Sequence, residues 1–539
     1  MKPISQPQSN EKTRPPIWVP VAVPLLFLAA GLWLAGRHTL FEEWDGAMQM
    51  FGAREISQGM GYTGWASHYW PPLYAVLLLL LSKWTTFFAA GKLISVLSGA
   101  LLIWVVYLLG TALSGSARVG VVAQALLATN QLFWNTTIQI ENHTLAALLF
   151  TVAVLVALIA LRRQTWPWFA ALGAAVGLAG LCRYTNLSLL PAVIVLIFVF
   201  VRGRRAWLYS LVCGAAFLAI SAPWFYANYR ANGSPLATWQ YTNIGLSVMP
   251  RAWGIPRMSW WWEVQAKFHS IGDIIRATPT GYVRNFLAVS RDMVRLVLAL
   301  LGAMGVTGLT GAVGLPWLVE RRKWLPLWLA AAGYLLLVCQ AFVYGVVVMP
   351  FVGFLALTTA LLAQHLVRRP WPQWTRYRYG AVAAALVLLL GANLYVSYGN
   401  LSAYLRDTED MGEMIAAEAV GSALRGGDAQ IASKYVMAVN PARAYYSGSR
   451  YMCLPLYFRS DDPVALVTYR GLAPEVLNWA PRYPFRPMVN RADYLIFDEA
   501  AKRFLPQYAY LMDPHTQRVP PNWEVRCREP GVVVWKINW

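Results

Sequence analysis

Ten carboxylates occur in the first 400 of the chain's 539 residues, and four of them fall between Glu42 and Glu55. Glu42, Glu43 and Asp45 follow directly on an apolar run that ends near residue 36. Glu141 stands apart, in Gln139-Ile140-Glu141-Asn142-His143, immediately before another apolar run. A carboxylate at membrane depth is costly and by default marks a site. Two such acids suit proton transfer: one takes a proton from an attacking group, and the other positions a substrate or a metal. The Glu42–Asp45 cluster and Glu141 could supply such a pair. A solvated surface turn and an interfacial helix end explain the same residues without chemistry.

His68 and His143 lie close in sequence to Trp70-Pro71 and to Glu141. With the acids they form a set able to hold a divalent ion, because imidazole and carboxylate together suit zinc or manganese. Ordinary interfacial hydrogen bonding is the simpler reading of both. Trp253, Trp260, Trp261 and Trp262 crowd one polar stretch. Trp favours membrane interfaces, so anchoring is the plain reading of that stretch.

The elements that must position these residues are membrane spans. The chain is 58% hydrophobic and only 13% charged, where soluble domains run near 25% charged. Its formal net charge is +20, yet residues 401–539 hold 16 basic and 15 acidic residues, so the excess lies in the apolar part. Basicity placed in this way reads as membrane topology and not as nucleic-acid binding. A bilayer core of ~30 Å needs about 20 apolar helical residues. Runs of that kind lie near 17–36, 71–90, 92–112, 117–138, 142–161, 166–182, 184–201, 206–222, 293–318, 324–340, 342–366 and 379–397. The first has basic residues before it but no small-residue cleavage site, so it reads as an uncleaved span.

Parity then decides which runs cross. Short loops rich in Lys and Arg stay in the cytoplasm. Arg162–Arg163, Arg202–Arg205, Glu320–Lys323 and Arg368–Arg378 are such loops, and two spans separate each from the next. Counting from a basic, cytoplasmic N-terminus, one early run must fail to cross. The run 71–90 opens with Trp70-Pro71-Pro72 and carries Lys83 near its end, so it is expected to lie along or re-enter the outer surface. About eleven spans remain. Residues 1–400 form the membrane module, with outer loops 37–91 and 223–292, and residues 401–539 face the same side as those loops.

The tail reads as a small α/β domain. Apolar residues recur at roughly helical spacing from Leu401 to Leu424, and strand-like runs follow at Gln430–Ala432, Tyr494–Phe497 and Val532–Ile537. Cys453 and Cys527 are its two cysteines. In an oxidising compartment a disulfide between them is permitted, and two buried thiols are the alternative.

The ordered motifs resemble a family. Asp45-Gly46-Ala47-Met48-Gln49, then Ala53-Arg54, then Gly59-Met60-Gly61-Tyr62, is similar to the first outer loop of the GT-C glycosyltransferases. These membrane enzymes use polyprenyl-phosphate sugars and include the protein O-mannosyltransferases and the lipid A aminoarabinose transferase. Pro71-Pro72-Leu73-Tyr74 matches the opening of their surface-lying helix, and Glu141 stands where members carry a second acid. Gly177 to Asn186 with Leu189-Leu190-Pro191, Pro223-Trp224 with Asn228 and Gly233, and Tyr445-Tyr446-Ser447-Gly448 resemble further family stretches in the same order. Two departures stand out: Gly46 replaces the usual Glu after the Asp, and Gln49 replaces a common Tyr.

The resemblance implies a GT-C-like fold in a bacterial inner membrane, with a cytoplasmic N-terminus and a periplasmic C-terminal α/β domain. It implies a donor sugar on an undecaprenyl-type phosphate, transferred with inversion to a glycan, lipid or protein acceptor. An inverting transfer needs a base for the acceptor proton, and Asp45 is the residue carried over to that role, with Glu141 assisting it or holding a sugar. Fixed cations stabilise a leaving phosphate. Arg183 leads that set, followed by Lys83, Arg251, Arg257 and Lys267. Glu43, Tyr62, His68 and His143 are the remaining substrate-binding candidates. The competing reading is a lipid or glycan transporter or flippase with a periplasmic docking domain. That reading expects inverted repeats and acids at the midplane, and the sequence has no such repeat. Walker-type, H-E-x-x-H and C-x-x-C patterns are absent.

Overall fold

A computed structural model describes residues 18–37, 44–62, 69–232, 240–253, 270–303, 325–340, 345–368, 377–406, 408–454, 460–468 and 491–539, with Pro16 and a few isolated residues between 233 and 269. The chain divides into two compact units. One comprises 1–37, 70–226 and 286–406; the other comprises 38–69, 227–285 and 407–539.

The first unit is helical. Among the described residues, six helices are long and apolar enough to cross a membrane: Trp18–Arg37, Phe87–Ser114, His143–Arg163, Arg204–Asn232, Met349–Arg368 and Arg378–Arg406. Ala117–Ala128, Trp166–Cys182, Leu189–Phe200 and Leu325–Val338 are shorter apolar helices. Small residues let these helices approach closely, as membrane packing requires. A Cβ on Gly173 would meet the Cys213 carbonyl oxygen at 2.0 Å, and one on Gly110 would meet the Gly120 Cα at 3.0 Å.

Several boundaries differ from the sequence expectation. The run 71–90 yields the helix Leu73–Leu81, whose nine residues reach about 14 Å, less than half of a bilayer core. The run 117–138 is not one helix. Thr129 turns its hydroxyl back onto the Ala125 and Leu126 carbonyls, and Asn130 caps a new helix, Gln131–Thr137, by accepting from the Phe133 N–H. Short polar side chains that bond to nearby backbone in this way compete with helix continuation. Pro223, expected to end a span, lies inside Arg204–Asn232. Most of the run 293–318 lies outside the described residues.

Among the described residues, the second unit is built on a five-stranded sheet. Its strands are β1 (Tyr435–Ala438), β2 (Arg450–Cys453), β3 (Tyr494–Asp498), β4 (Trp523–Glu529) and β5 (Val532–Ile537), in the order β2-β1-β3-β5-β4. β1 pairs parallel with β2 and β3, whereas β3–β5 and β5–β4 are antiparallel. Every residue of β3 is buried, as a strand covered on both faces requires. Met437, Leu495, Phe497 and Trp535 form its core with helices on the sheet.

Two tail expectations need correction. The strand-like run Gln430–Ala432 falls in a turn, because Asp428 accepts from the Gln430 N–H and a 3-10 turn follows at Ile431–Ser433; the strand begins at Tyr435. Cys453 and Cys527 lie on β2 and β4, the opposite edges of the sheet. Four strand spacings of ~4.8 Å separate them, far beyond the reach of a disulfide, and Cys527 is a free thiol.

Candidate active site

In the first unit, the segment before His143–Arg163 is stitched to the break between Trp166–Cys182 and Leu189–Phe200. The chain leaves the helix at Arg183 with extended backbone, turns through Tyr184–Ser188, and resumes as a helix. Asn142 donates to the Cys182 carbonyl at 3.0 Å. Asn186 donates to the Ala146 and Ala179 carbonyls, tying the break to the helix His143–Arg163. Tyr184 accepts from the Trp224 indole at 3.2 Å, joining two of the family-like stretches.

This stitching brings Glu141, His143 and Arg183 together. The Arg183 guanidinium donates to His143 Nδ1. Arginine has no acceptor to offer, so Nδ1 keeps its lone pair and the neutral ring carries its proton on Nε2. That nitrogen lies 3.0 Å from Glu141 Oε2, a buried oxygen with no aligned hydrogen bond of its own. Burial alone would push the Glu141 carboxyl up, but His143 and Arg183 outweigh it and hold it below the usual carboxylate range. The result is a buried carboxylate held low first by His143 and then by Arg183, in spite of its burial.

His143 and Glu141 together offer a ring nitrogen and a carboxylate oxygen of the kind a divalent ion takes. His68 lies outside the described residues.

Asp45 belongs to the second unit, in the first turn of the helix Trp44–Ser57. A carboxylate is favoured at that position by the helix dipole. Arg54 in the last turn fixes the helix to the tail. Its guanidinium donates to the Ser449 carbonyl and lies over the rings of Phe51 and Tyr445, 4.5 and 5.3 Å from their centroids. Phe51 stacks on Tyr451 and meets Tyr445 edge-on, while Trp44 meets Tyr451 edge-on at 6.1 Å. The Ala-Arg and Tyr-Tyr-Ser-Gly stretches of the sequence therefore pack on each other.

The other expected residues divide as follows. Lys83 is exposed in the turn after Leu73–Leu81, and Tyr62 is half-buried after the helix that carries Asp45. Arg251 and Trp253 lie on the helix Gln240–Trp253. Glu42, Glu43, Arg257, Trp260, Trp261, Trp262 and Lys267 lie outside the described residues.

Sequence reasoning missed Lys92. It is 4% exposed on Phe87–Ser114 and donates to the Ile138 carbonyl at 2.6 Å. On the same helix, Gly91 lies against Ile140, where a Cβ would come within 2.4 Å, and Ser95 donates to the Glu141 carbonyl at 3.4 Å. Gly91, Lys92 and Ser95 thus seat the segment that presents Glu141. The available signal was an ionisable residue opening an otherwise apolar run.

Residues 71–226 match the family model described as dolichyl-phosphate-mannose-protein mannosyltransferase. Among solved structures, the chain is similar to ArnT from Cupriavidus metallidurans bound to undecaprenyl phosphate. The TM-score is 0.59 at 15% identity, over 96% of this chain and 97% of that one. The apo state of the same protein gives 0.54 at 14% identity, with the same coverage. No curated protein sequence matches the chain. The likeness to ArnT is one of fold and spans nearly the whole chain.

Proposed function

We propose that the chain is an integral-membrane glycosyltransferase. It moves a sugar from a polyprenyl-phosphate donor, with inversion, to an acceptor hydroxyl or phosphate on a cell-envelope glycan, lipid or protein. One observation carries the reading: 96% of the chain shares its fold with a protein crystallised with undecaprenyl phosphate. The family match over residues 71–226 points to the same donor chemistry. On this reading the protein sits in a bacterial inner membrane, with its N-terminus cytoplasmic and its sheet-bearing tail periplasmic.

The roles follow from residue chemistry. The acceptor oxygen attacks the anomeric carbon from the face opposite the phosphate, and the sugar–phosphate C–O bond breaks. Its electron pair leaves on the polyprenyl phosphate, and Asp45 takes the acceptor's proton. Glu141 is a poor base because its environment favours the charged form, so it holds a substrate hydroxyl. Arg183 spends one donor on His143, and the remaining donors of its fork suit a phosphate. Lys83 and Arg251 are weaker phosphate candidates.

The purified chain, incubated with a lipid extract of its host's membranes, tests this directly. Mass spectrometry should show a polyprenyl-phosphate sugar converted to polyprenyl phosphate. Movement of the intact lipid-linked sugar across vesicles, with its C–O bond unbroken, would identify a flippase instead.

A further inference from the structure

Gln49 stands four residues beyond Asp45, one turn along the same face of Trp44–Ser57. The residue is 1% exposed, and among the described residues neither its amide oxygen nor its amide nitrogen has a hydrogen-bond partner. A primary amide brings an acceptor oxygen and two N–H donors. Burying these groups without partners destabilises a fold, and each native instance calls for an explanation. Its chain neighbours Met48 and Met50 are apolar and buried, so packing alone would be met better by another apolar side chain.

We propose that Gln49 is a substrate-reading residue whose amide receives the hydroxyls of a sugar in the reacting complex. The proposal rests on the glycosyl-transfer reading above. Adjacent sugar hydroxyls are both donors and acceptors, so one can donate to the amide oxygen while its neighbour accepts from the amide N–H. A site built to hydrogen-bond hydroxyls discriminates strongly against analogues lacking them, because its own polar groups are then left unpaired. The free protein carries the unpaired amide and the substrate satisfies it. The sugar comes from either the donor or the acceptor, since both present such hydroxyls beside the reacting carbon.

Gln124 supplies the internal control. It too is buried with both amide atoms unpartnered, but its helix, Ala117–Ala128, carries no carboxylate. Full-length protein would be compared with Gln49→Met and Gln124→Met variants by thermal unfolding without substrate, and by sugar transfer from the host lipid extract. Both variants should melt about 2 °C higher. Only Gln49→Met should lose transfer, by about tenfold or more. Stabilisation by added undecaprenyl phosphate, which has no sugar, should be equal in all three proteins.

Release of free sugar from the donor in the absence of acceptor separates the two sources. It falls with transfer if Gln49 reads the donor sugar, and persists if Gln49 reads the acceptor. A lower melting temperature for Gln49→Met would mean that the amide serves the fold, and would overturn the proposal. Retained transfer in that variant would overturn it as well. Absence of transfer in the unmodified protein would instead reject the glycosyltransferase reading itself.

Discussion

The guanidinium of Arg54 lies over the ring of Tyr445, 5.3 Å from its centroid, across nearly 400 residues of sequence. Arg54 follows Asp45 on the same helix, and Tyr445 belongs to the tail helix Pro441–Ser447. The tail therefore holds the helix that carries the candidate base. Burial pushes the Tyr445 phenol up, with Arg54 opposing it, so the ring stays neutral and presents its face to the cation. Arg54→Met keeps much of the stem packing and loses the bond to Ser449 and the cation–ring contact. Those losses are worth about 2 kcal/mol. Thermal unfolding of the purified protein should show a clear drop, and Arg54→Lys should recover part of it. An unchanged melting temperature would mean that the contact contributes nothing.

The Glu141–His143–Arg183 chain gives a pH dependence with a definite sign. Glu141 is held below the ordinary carboxylate range in the folded protein, so its ionised form stabilises the fold. That contribution is complete above the unfolded value of about 4.3 and is lost as pH falls through the folded value. His143→Leu removes the largest influence opposing burial and so raises the carboxyl. Two results follow for the variant. Its melting temperature should fall less than the unmodified protein's between neutral and acidic pH, and the acid limb of its transfer activity should move to higher pH. Superimposable pH profiles would show that His143 does not govern Glu141.

Close helix packing makes a third claim testable. A Cβ at Gly173 would sit 2.0 Å from the Cys213 carbonyl oxygen, whereas one at Gly214 would meet nothing within 4 Å. Gly173→Ala must push the two helices apart and should lower the melting temperature by several degrees. Gly214→Ala relieves the helix cost of glycine, about 1 kcal/mol, and should be neutral or stabilising. Equal effects at the two positions would remove the packing argument.

Much of this was legible in the sequence because membrane helices and scarce charges leave strong traces. Asp45, Glu141 and Arg183 could be singled out since so few ionisable residues interrupt the apolar runs. The link from Arg183 through His143 to Glu141 was not legible, because it depends on Asn142 and Asn186 tying one helix break to another segment. The bend at Thr129–Asn130 was hidden for a similar reason: in a uniformly apolar stretch, one back-bonding hydroxyl and one capping amide decide where the helix ends. Lys92 escaped notice as the first residue of a span, although burial makes it a support for the Glu141 segment. Strand β1 was displaced by five residues from its expected start because the Asp428 turn delays it. Arg54 and Tyr445 were read as two separate motifs, and only the fold shows them in contact.

The central claim is that Asp45 removes the acceptor's proton during sugar transfer. The measurement that tests it most directly is mass spectrometry of cell-envelope glycans, lipids and glycoproteins from three strains. One carries the unmodified gene, one lacks it, and one carries Asp45→Asn at equal protein abundance. Asn keeps the size and polarity of the side chain but cannot accept the proton. The sugar modification present with the unmodified gene should be missing from the deletion strain and equally missing with Asp45→Asn. Full modification in the Asp45→Asn strain would contradict the assignment.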